Sequence, residues 1–213
     1  MGAAGVSHEL FLASRNPKKI AEMQRILAEH VPGVRVLGLD DVDDYDEPAE
    51  DEPTFAGNAL LKARAGTAAT GLPSLADDSG LCVDALNGMP GVLSARWAGR
   101  MKSDAANNQL LLDQLHDVPD GRRGAHFRCA VAWVTPGGVE RVVEGRMPGR
   151  VIRETRGHGG FGYDVLFVPE EYATSGLTSA EILPQEKDRI SHRGRALREI
   201  APLVAADLRD AAS

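Results

Sequence analysis

The sequence predicts an α/β fold on a mixed β-sheet, and three observations carry that prediction. Short apolar runs alternate with helical stretches whose apolar residues recur every three or four positions. Residues 125-AHFRCAVAWVT-135 and 139-VERVVEGRM-147 alternate apolar and polar residues about Pro136-Gly137-Gly138, the pattern of a β-hairpin. No internal repeat interrupts this mixture, so strands, helices and a hairpin share one sheet. With 213 residues, 43% of them hydrophobic, the chain fits a single domain over 1–213 with a core of about 9–208. Two lobes sharing that core would fit equally well.

The elements follow in order. Residues 9-ELFLA-13 read as a strand. A helix is expected within 14-SRNPKKIAEMQRILAEH-30, because Ile20, Met23, Ile26 and Leu27 fall at helical spacing. Asn16 suits its N-cap and Pro17 its first helical position. Lys18 and Lys19 then occupy the first turn, where cations are unfavourable unless an anion binds or they simply stand in water. The segment lacks the pattern of a P-loop. Residues 40-DDVDDYDEPAEDE-52 read as an acidic loop. Thr54 caps a second helix, 55-FAGNALLKARAGTAAT-70, stopped by Gly71 and Pro73. On it Asn58 and Lys62 share one face, while Leu61, Ala65 and Ala68 are expected to form a different, apolar one.

Next comes 75-LADDSGL-81, in which two adjacent carboxylates raise each other's pKa. The stretch reads either as a turn of Asp, Ser and Gly or as a site that uses the charges. Residues 81-LCVDAL-86 are an expected strand that includes Asp84, and 87-NGMPGV-92 a pair of turns. A helix capped near Ser103 covers 104-DAANNQLLLDQL-115. The glycine-rich 157-GHGGFGYD-164 precedes an expected strand 165-VLFV-168. A final helical segment includes 195-RALREIAPLVAADL-208, with Pro202 as a kink or restart.

The totals restrict function. A net charge of -7 argues against a protein that coats nucleic acid or an anionic membrane. Cys82 and Cys129 sit in apolar stretches without metal-ligand spacing, which predicts buried reduced thiols in a cytoplasmic protein. No apolar run approaches membrane length, and the N-terminus has no signal-peptide order. Lysine is scarce: among 24 basic residues only Lys18, Lys19, Lys62, Lys102 and Lys187 are lysines. A compact ammonium suits phosphate oxygens, so each lysine is a candidate phosphate contact.

Five motifs in order give these candidates a common theme: S-R-N-x-x-K (Ser14, Asn16, Lys19), E-x-x-x-T-F-x-x-N-A-x-x-K-A (Glu50 to Ala63), A-D-D-S-G-L (76–81), G-G-F-G-Y-D (159–164) and S-H-R-G (191–194). In these the chain resembles the inosine triphosphate pyrophosphatase, or Ham1-like, family over roughly residues 9 to 208. The resemblance implies two α/β lobes on a long mixed sheet with flanking helices and the nucleotide in the cleft between the lobes. It implies a Mg²⁺-dependent homodimeric enzyme that cleanses the nucleotide pool. Such an enzyme converts the purine nucleoside triphosphates ITP, dITP and XTP to the monophosphate and pyrophosphate.

Carried onto this sequence, the resemblance makes Ser14, Asn16 and Lys19 triphosphate contacts, with Arg15, Pro17 and Lys18 in the same substrate-binding segment and Lys62 beside it. Glu50 and Asp78 would bind Mg²⁺ with Asp77 in support, and Asp78 would act as base toward the attacking water. Ser79 would touch substrate. Phe161 would stack on the purine, flanked by Gly162, Tyr163 and Asp164, while Lys187, His192 and Arg193 would face the base. The family often has Thr-Gly-Asn where Ser14-Arg15-Asn16 stands here. Two other readings compete: a module that senses nucleotides without hydrolysing them, and a pyrophosphatase for modified pyrimidines. The carboxylates Glu50, Asp77 and Asp78 speak against the first, and the F-G-Y-D and S-H-R-G motifs against the second.

Overall fold

Most of the expected strands and helices are present, some with shifted bounds. The computed structural model describes residues 8–211, apart from the Lys18 side chain. Its strands are β1 (Glu9–Leu12), β2 (Arg35–Leu37), β3 (Ser74–Val83), β4 (Gly124–Val134), β5 (Glu140–Val151) and β6 (Phe167–Pro169). They form one six-stranded sheet in the order β2-β1-β3-β4-β5-β6. Strand β1 pairs in parallel with β2 and β3, whereas β5 and β6 are antiparallel, so the sheet is mixed as predicted. The helices are α1 (Pro17–Ala28), α2 (Phe55–Thr70), α3 (Asp104–Gln114), α4 (Pro184–Ile190) and α5 (His192–Ala211). Among the described residues no helix is long and apolar enough to cross a membrane.

The chain divides into two compact units. One contains the chain up to Asp78, Ala130–Glu144 and the chain from Ala196; the other contains Ser79–Cys129 and Gly145–Arg195. In the first, Leu10, Phe11 and Leu12 of β1 are buried with Met23, Ile26 and Leu27 of α1. Helix α2 is capped as predicted: the Thr54 side chain accepts from the Gly57 N–H, and Gly71 closes the helix in the left-handed conformation. Gly66 lets this helix approach β1, since a methyl there would lie 2.7 Å from the Phe11 ring. In the second unit Leu81, Val83, Leu111, Phe127, Met147, Leu166 and Phe167 belong to one apolar cluster.

Several sequence expectations are corrected. Asp77 and Asp78 are not in a turn: β3 runs through them without a break. That strand ends at Val83, and Asp84 lies exposed in a 3₁₀ turn, Asp84–Leu86. The buried side of α2 carries Phe55, Asn58, Ala59, Ala63 and Gly66, while Ala68 is exposed. Asn58 can be buried there because both ends of its amide are hydrogen-bonded. Val165 and Leu166 belong to a 3₁₀ turn, Gly162–Leu166, so β6 starts only at Phe167. Helix α5 continues through Pro202, whose position faces solvent, where water can satisfy the carbonyl that proline leaves without a partner. Both cysteines are buried free thiols, as expected.

Arg123 is a polar keystone of the second unit. It is 2% exposed, and its guanidinium donates to three main-chain carbonyls: Leu115 (2.6 Å), Val151 (2.9 Å) and Ile152 (2.9 Å). Burial, with Arg153 nearby, pulls its pKa down. Replacing it leaves three acceptors without their donor. Arg123→Met should therefore destabilise the protein by about 3 kcal/mol or more in urea unfolding. A midpoint close to wild type would show that water replaces all three bonds.

Candidate functional site

The first unit brings together a carboxylate–lysine cluster. Helix α1 supplies Lys19, whose ammonium sits 3.0 Å from both carboxylate oxygens of Asp77. Helix α2 supplies Lys62, which donates to Glu50 at 2.6 Å and to the Asp77 carbonyl at 2.7 Å, and lies 4.0 Å from Asp78. Asn58, one turn before Lys62, donates to Asp78 at 2.9 Å and accepts from the Glu52 N–H at 3.0 Å. Among the described contacts, three carboxylates thus face two ammonium groups. Glu50 is the acidic-loop carboxylate that enters the cluster; Asp51 and Glu52 are exposed.

The electrostatics follow from that count and from burial. The Asp78 carboxyl is pushed up, first by burial and also by Glu50 and Asp77, against the lowering influence of Lys62 and Asn58. Burial pulls the Lys62 ammonium down, but Asp77, Glu50 and Asp78 together hold it above its ordinary value. A carboxyl with a raised pKa is suited to accept a proton, and a charged lysine beside it to meet a phosphate oxygen. Glu50 and Asp78 both lie beside the Lys62 ammonium and are carboxylates that could share a divalent cation, although the described residues form no cluster of three or more metal-ligating side chains. Mg²⁺ needs only one or two protein carboxylates, and a cation would relieve the repulsion that raises Asp78.

The segment ahead of α1 is ordered by its own polar groups. Ser14 Oγ accepts from the Asn16 N–H at 3.1 Å, and the Asn16 carbonyl receives the Ile20 N–H at 3.1 Å. Pro17 opens the helix as predicted. The Lys18 side chain lies outside the described residues. Arg15 hydrogen-bonds Glu47 and lies 3.7 Å from Asp40, tying the acidic loop to this segment.

The second unit gathers the remaining candidates. Phe161 is 64% exposed, an unusual state for a phenylalanine next to a folded core. Its N–H donates to the buried Asp164 carboxylate at 2.9 Å, and Lys187 hydrogen-bonds that same carboxylate. The Lys187 ammonium also lies 5.5 Å from the centre of the Phe161 ring. Gly160 has φ of 75°, and a side chain there would run into the Asp164 carboxylate. Tyr163 is buried, and its hydroxyl donates to the Ser94 carbonyl at 2.9 Å. Burial pushes that phenol well above its usual range. Asp164 and Tyr163, the expected flanks of Phe161, thus use their side chains to hold the loop.

At the start of α5, the Arg193 guanidinium lies 3.4 Å from Ser79 Oγ. The His192 ring stacks on Phe127 with centroids 5.0 Å apart. Sequence reasoning gave no role to Asn58, Asp104, Asn108 or Phe127. For Asn58 the available signal was a polar residue in a helix of small and apolar ones; Asp104 and Asn108 in the polar helix α3, and Phe127 on β4, offered none.

Comparison with known proteins gives the family of the chain. The Ham1 family profile matches residues 10–203. A dITP/XTP pyrophosphatase of Nocardia farcinica is 60% identical over 198 residues, covering 92% of this chain and 95% of that protein. The crystal structure of a nucleoside-triphosphatase / dITP/XTP pyrophosphatase from Mycobacterium abscessus superimposes with a TM-score of 0.77 at 55% identity, covering 91% of this chain and 99% of that one. The Staphylococcus aureus Ham1 protein gives a TM-score of 0.83 at 35% identity, with 93% and 99% covered. The fold is the mixed-sheet α/β fold of these proteins. The chain belongs to the Ham1 family.

The raised pKa of Asp78 makes a signed prediction. Its folded carboxyl binds a proton more tightly than the unfolded one. Its contribution to stability is therefore present below the unfolded pKa and lost as pH rises through the folded value. At neutral pH the charged group costs stability. Asp78→Asn, whose amide oxygen can still accept from Asn58, should hold or raise the melting temperature at pH 7–8. That advantage should shrink toward about pH 4, near the ordinary aspartate pKa. Thermal melts across this range check it; a variant that loses stability steeply at pH 8 would show that Lys62 needs the Asp78 charge.

Proposed function

We propose that the chain is a Mg²⁺-dependent nucleoside triphosphate pyrophosphohydrolase that converts ITP, dITP and XTP to the monophosphate and pyrophosphate, acting as a cytoplasmic homodimer. The observation that carries the reading is the partly buried cluster of Lys19, Lys62, Glu50, Asp77 and Asp78. Membership of the Ham1 family supports it, and so do the dITP/XTP pyrophosphatase names of the similar proteins.

In this reading Lys19 and Lys62 exchange part of their carboxylate contacts for triphosphate oxygens when substrate binds. Phosphoryl transfer depends mainly on positioning and on charge neutralisation, and two ammonium groups on rigid helices serve both. Asp78 takes a proton from the water that attacks phosphorus, and its raised pKa favours that step. The bond to pyrophosphate then breaks. Glu50 and Asp78 would hold Mg²⁺, which when bound supplies charge neutralisation on the polyphosphate. Asn58 fixes Asp78 from the side through its hydrogen bond.

Base choice rests on Arg193. A 6-oxo purine offers an acceptor at that position, whereas adenine offers a donor, and a guanidinium can only donate. Phe161, exposed beside Lys187, offers a ring face for stacking on the base.

The decisive assay supplies ITP, XTP, ATP and GTP with Mg²⁺ and identifies the phosphate product. Pyrophosphate from ITP and XTP is expected, and orthophosphate alone would overturn the proposal. Lys19→Ala and Lys62→Ala should lower kcat/KM for ITP and XTP in parallel, because the phosphates are common to both. A several-fold change in their ratio with activity intact would move that lysine to base recognition. Arg193→Ala should narrow the ITP-over-ATP preference by about 1–3 kcal/mol in kcat/KM, the worth of a hydrogen bond to a charged group. An equal fall for both nucleotides would assign Arg193 to the phosphates or the scaffold.

A further inference from the structure

Helix α3 makes unusual use of its polar residues. Asp104, in its first turn, accepts the Gly162 N–H at 2.7 Å. Asn108, one turn further along, donates to the Gly162 carbonyl at 3.0 Å. The two side chains stand four apart and so lie on one face of the helix. They hold Gly162, the residue directly after Phe161, through both its N–H and its carbonyl.

Gly162 has φ of 60°, a conformation that fixes the direction in which the chain leaves Phe161. On the other side, the Phe161 N–H is held by Asp164. A second route reinforces the grip. Asn107 accepts from the Ala98 N–H at 2.7 Å and donates to the Ala95 carbonyl at 3.2 Å, so α3 also fixes the 3₁₀ turn Gly91–Arg96. That turn presents the Ser94 carbonyl to the Tyr163 hydroxyl.

Stability does not explain Asn108. It is 5% exposed, and its Oδ1 has no hydrogen-bond partner among the described residues. A buried carbonyl of that kind costs free energy, which an aliphatic side chain of similar size would avoid. The benefit of an amide here is the single bond to Gly162.

We propose that Asp104 and Asn108 are positioning residues that hold the exposed Phe161 ring in the orientation needed to stack on the purine. The inference rests on the proposed function, and specifically on Phe161 as the base platform. Neither side chain needs to touch substrate. Their effect falls on binding of the base, so they raise affinity for nucleotide without taking part in the phosphoryl chemistry. A fixed ring loses no freedom when the base arrives, which is the physical source of the gain.

The test uses the full-length enzyme with ITP, comparing Asp104→Ala, Asp104→Asn, Asn108→Leu and Phe161→Ala, together with the Asp104→Ala/Phe161→Ala double variant. Asp104→Ala should raise KM about tenfold with kcat within about twofold, while its melting temperature stays near wild type. Asp104→Asn keeps an acceptor for the Gly162 N–H and should restore most of the affinity. Asn108→Leu should also raise KM. In the Phe161→Ala background, Asp104→Ala should cost nothing further, because the ring it orients is gone. An equal KM penalty in both backgrounds, an unchanged KM, or a fall in kcat alone would each overturn the inference while leaving the proposed function standing. Wild-type enzyme inert toward ITP would overturn both together.

Discussion

The constraint on which the first unit depends is the burial of two adjacent carboxylates within a strand. Asp77 is almost inaccessible and Asp78 nearly so, and neither could remain charged there without partners. The partners come from two helices. Lys19 is fixed by the start of α1, and Lys62 by the register of α2 against β1, which Gly66 sets by admitting the Phe11 ring. Asn58 completes the arrangement from the same side of α2. Each of these residues is intelligible only as an answer to the charges on β3.

The second unit meets a different demand, that of keeping an apolar ring exposed and still ordered. Its solution is main-chain capture. Asp164 holds the Phe161 N–H, α3 holds Gly162, and Tyr163 is anchored on the Ser94 carbonyl. Arg123 does the same elsewhere, with a guanidinium that donates to three carbonyls. In both places polar side chains satisfy main-chain groups in short turns or at the ends of helices and strands, where the regular pattern of hydrogen bonds stops.

Much of the fold was legible beforehand. The Thr54 and Ser103 caps, the Gly71 stop, the hairpin about Gly137 and the apolar stripe of α1 all follow local rules, since they depend on neighbours within a few positions. The errors share one cause. Asp-Asp-Ser-Gly has the composition of a turn, yet it continues β3 because its charges are met by helices distant in the chain. Leu61 and Ala68 looked like the inner face of α2, but the buried face carries Asn58, whose amide partners are invisible in the local pattern.

The candidate residues were named by type and in order: scarce lysines, an aromatic in a glycine-rich loop, and paired acids. Their division of labour was not. Sequence determined the caps, the strand alternation, the lysine scarcity and the motif order, because each is written in residue identity and short spacing. Only the tertiary structure decided that Tyr163 and Asp164 hold the loop, that Glu50 rather than Asp51 or Glu52 meets Lys62, and that Asp104 and Asn108 meet at Gly162. Those facts are distances between residues far apart in the chain. A hydrogen bond or a shifted pKa depends on separation and burial, which folding sets and residue order does not.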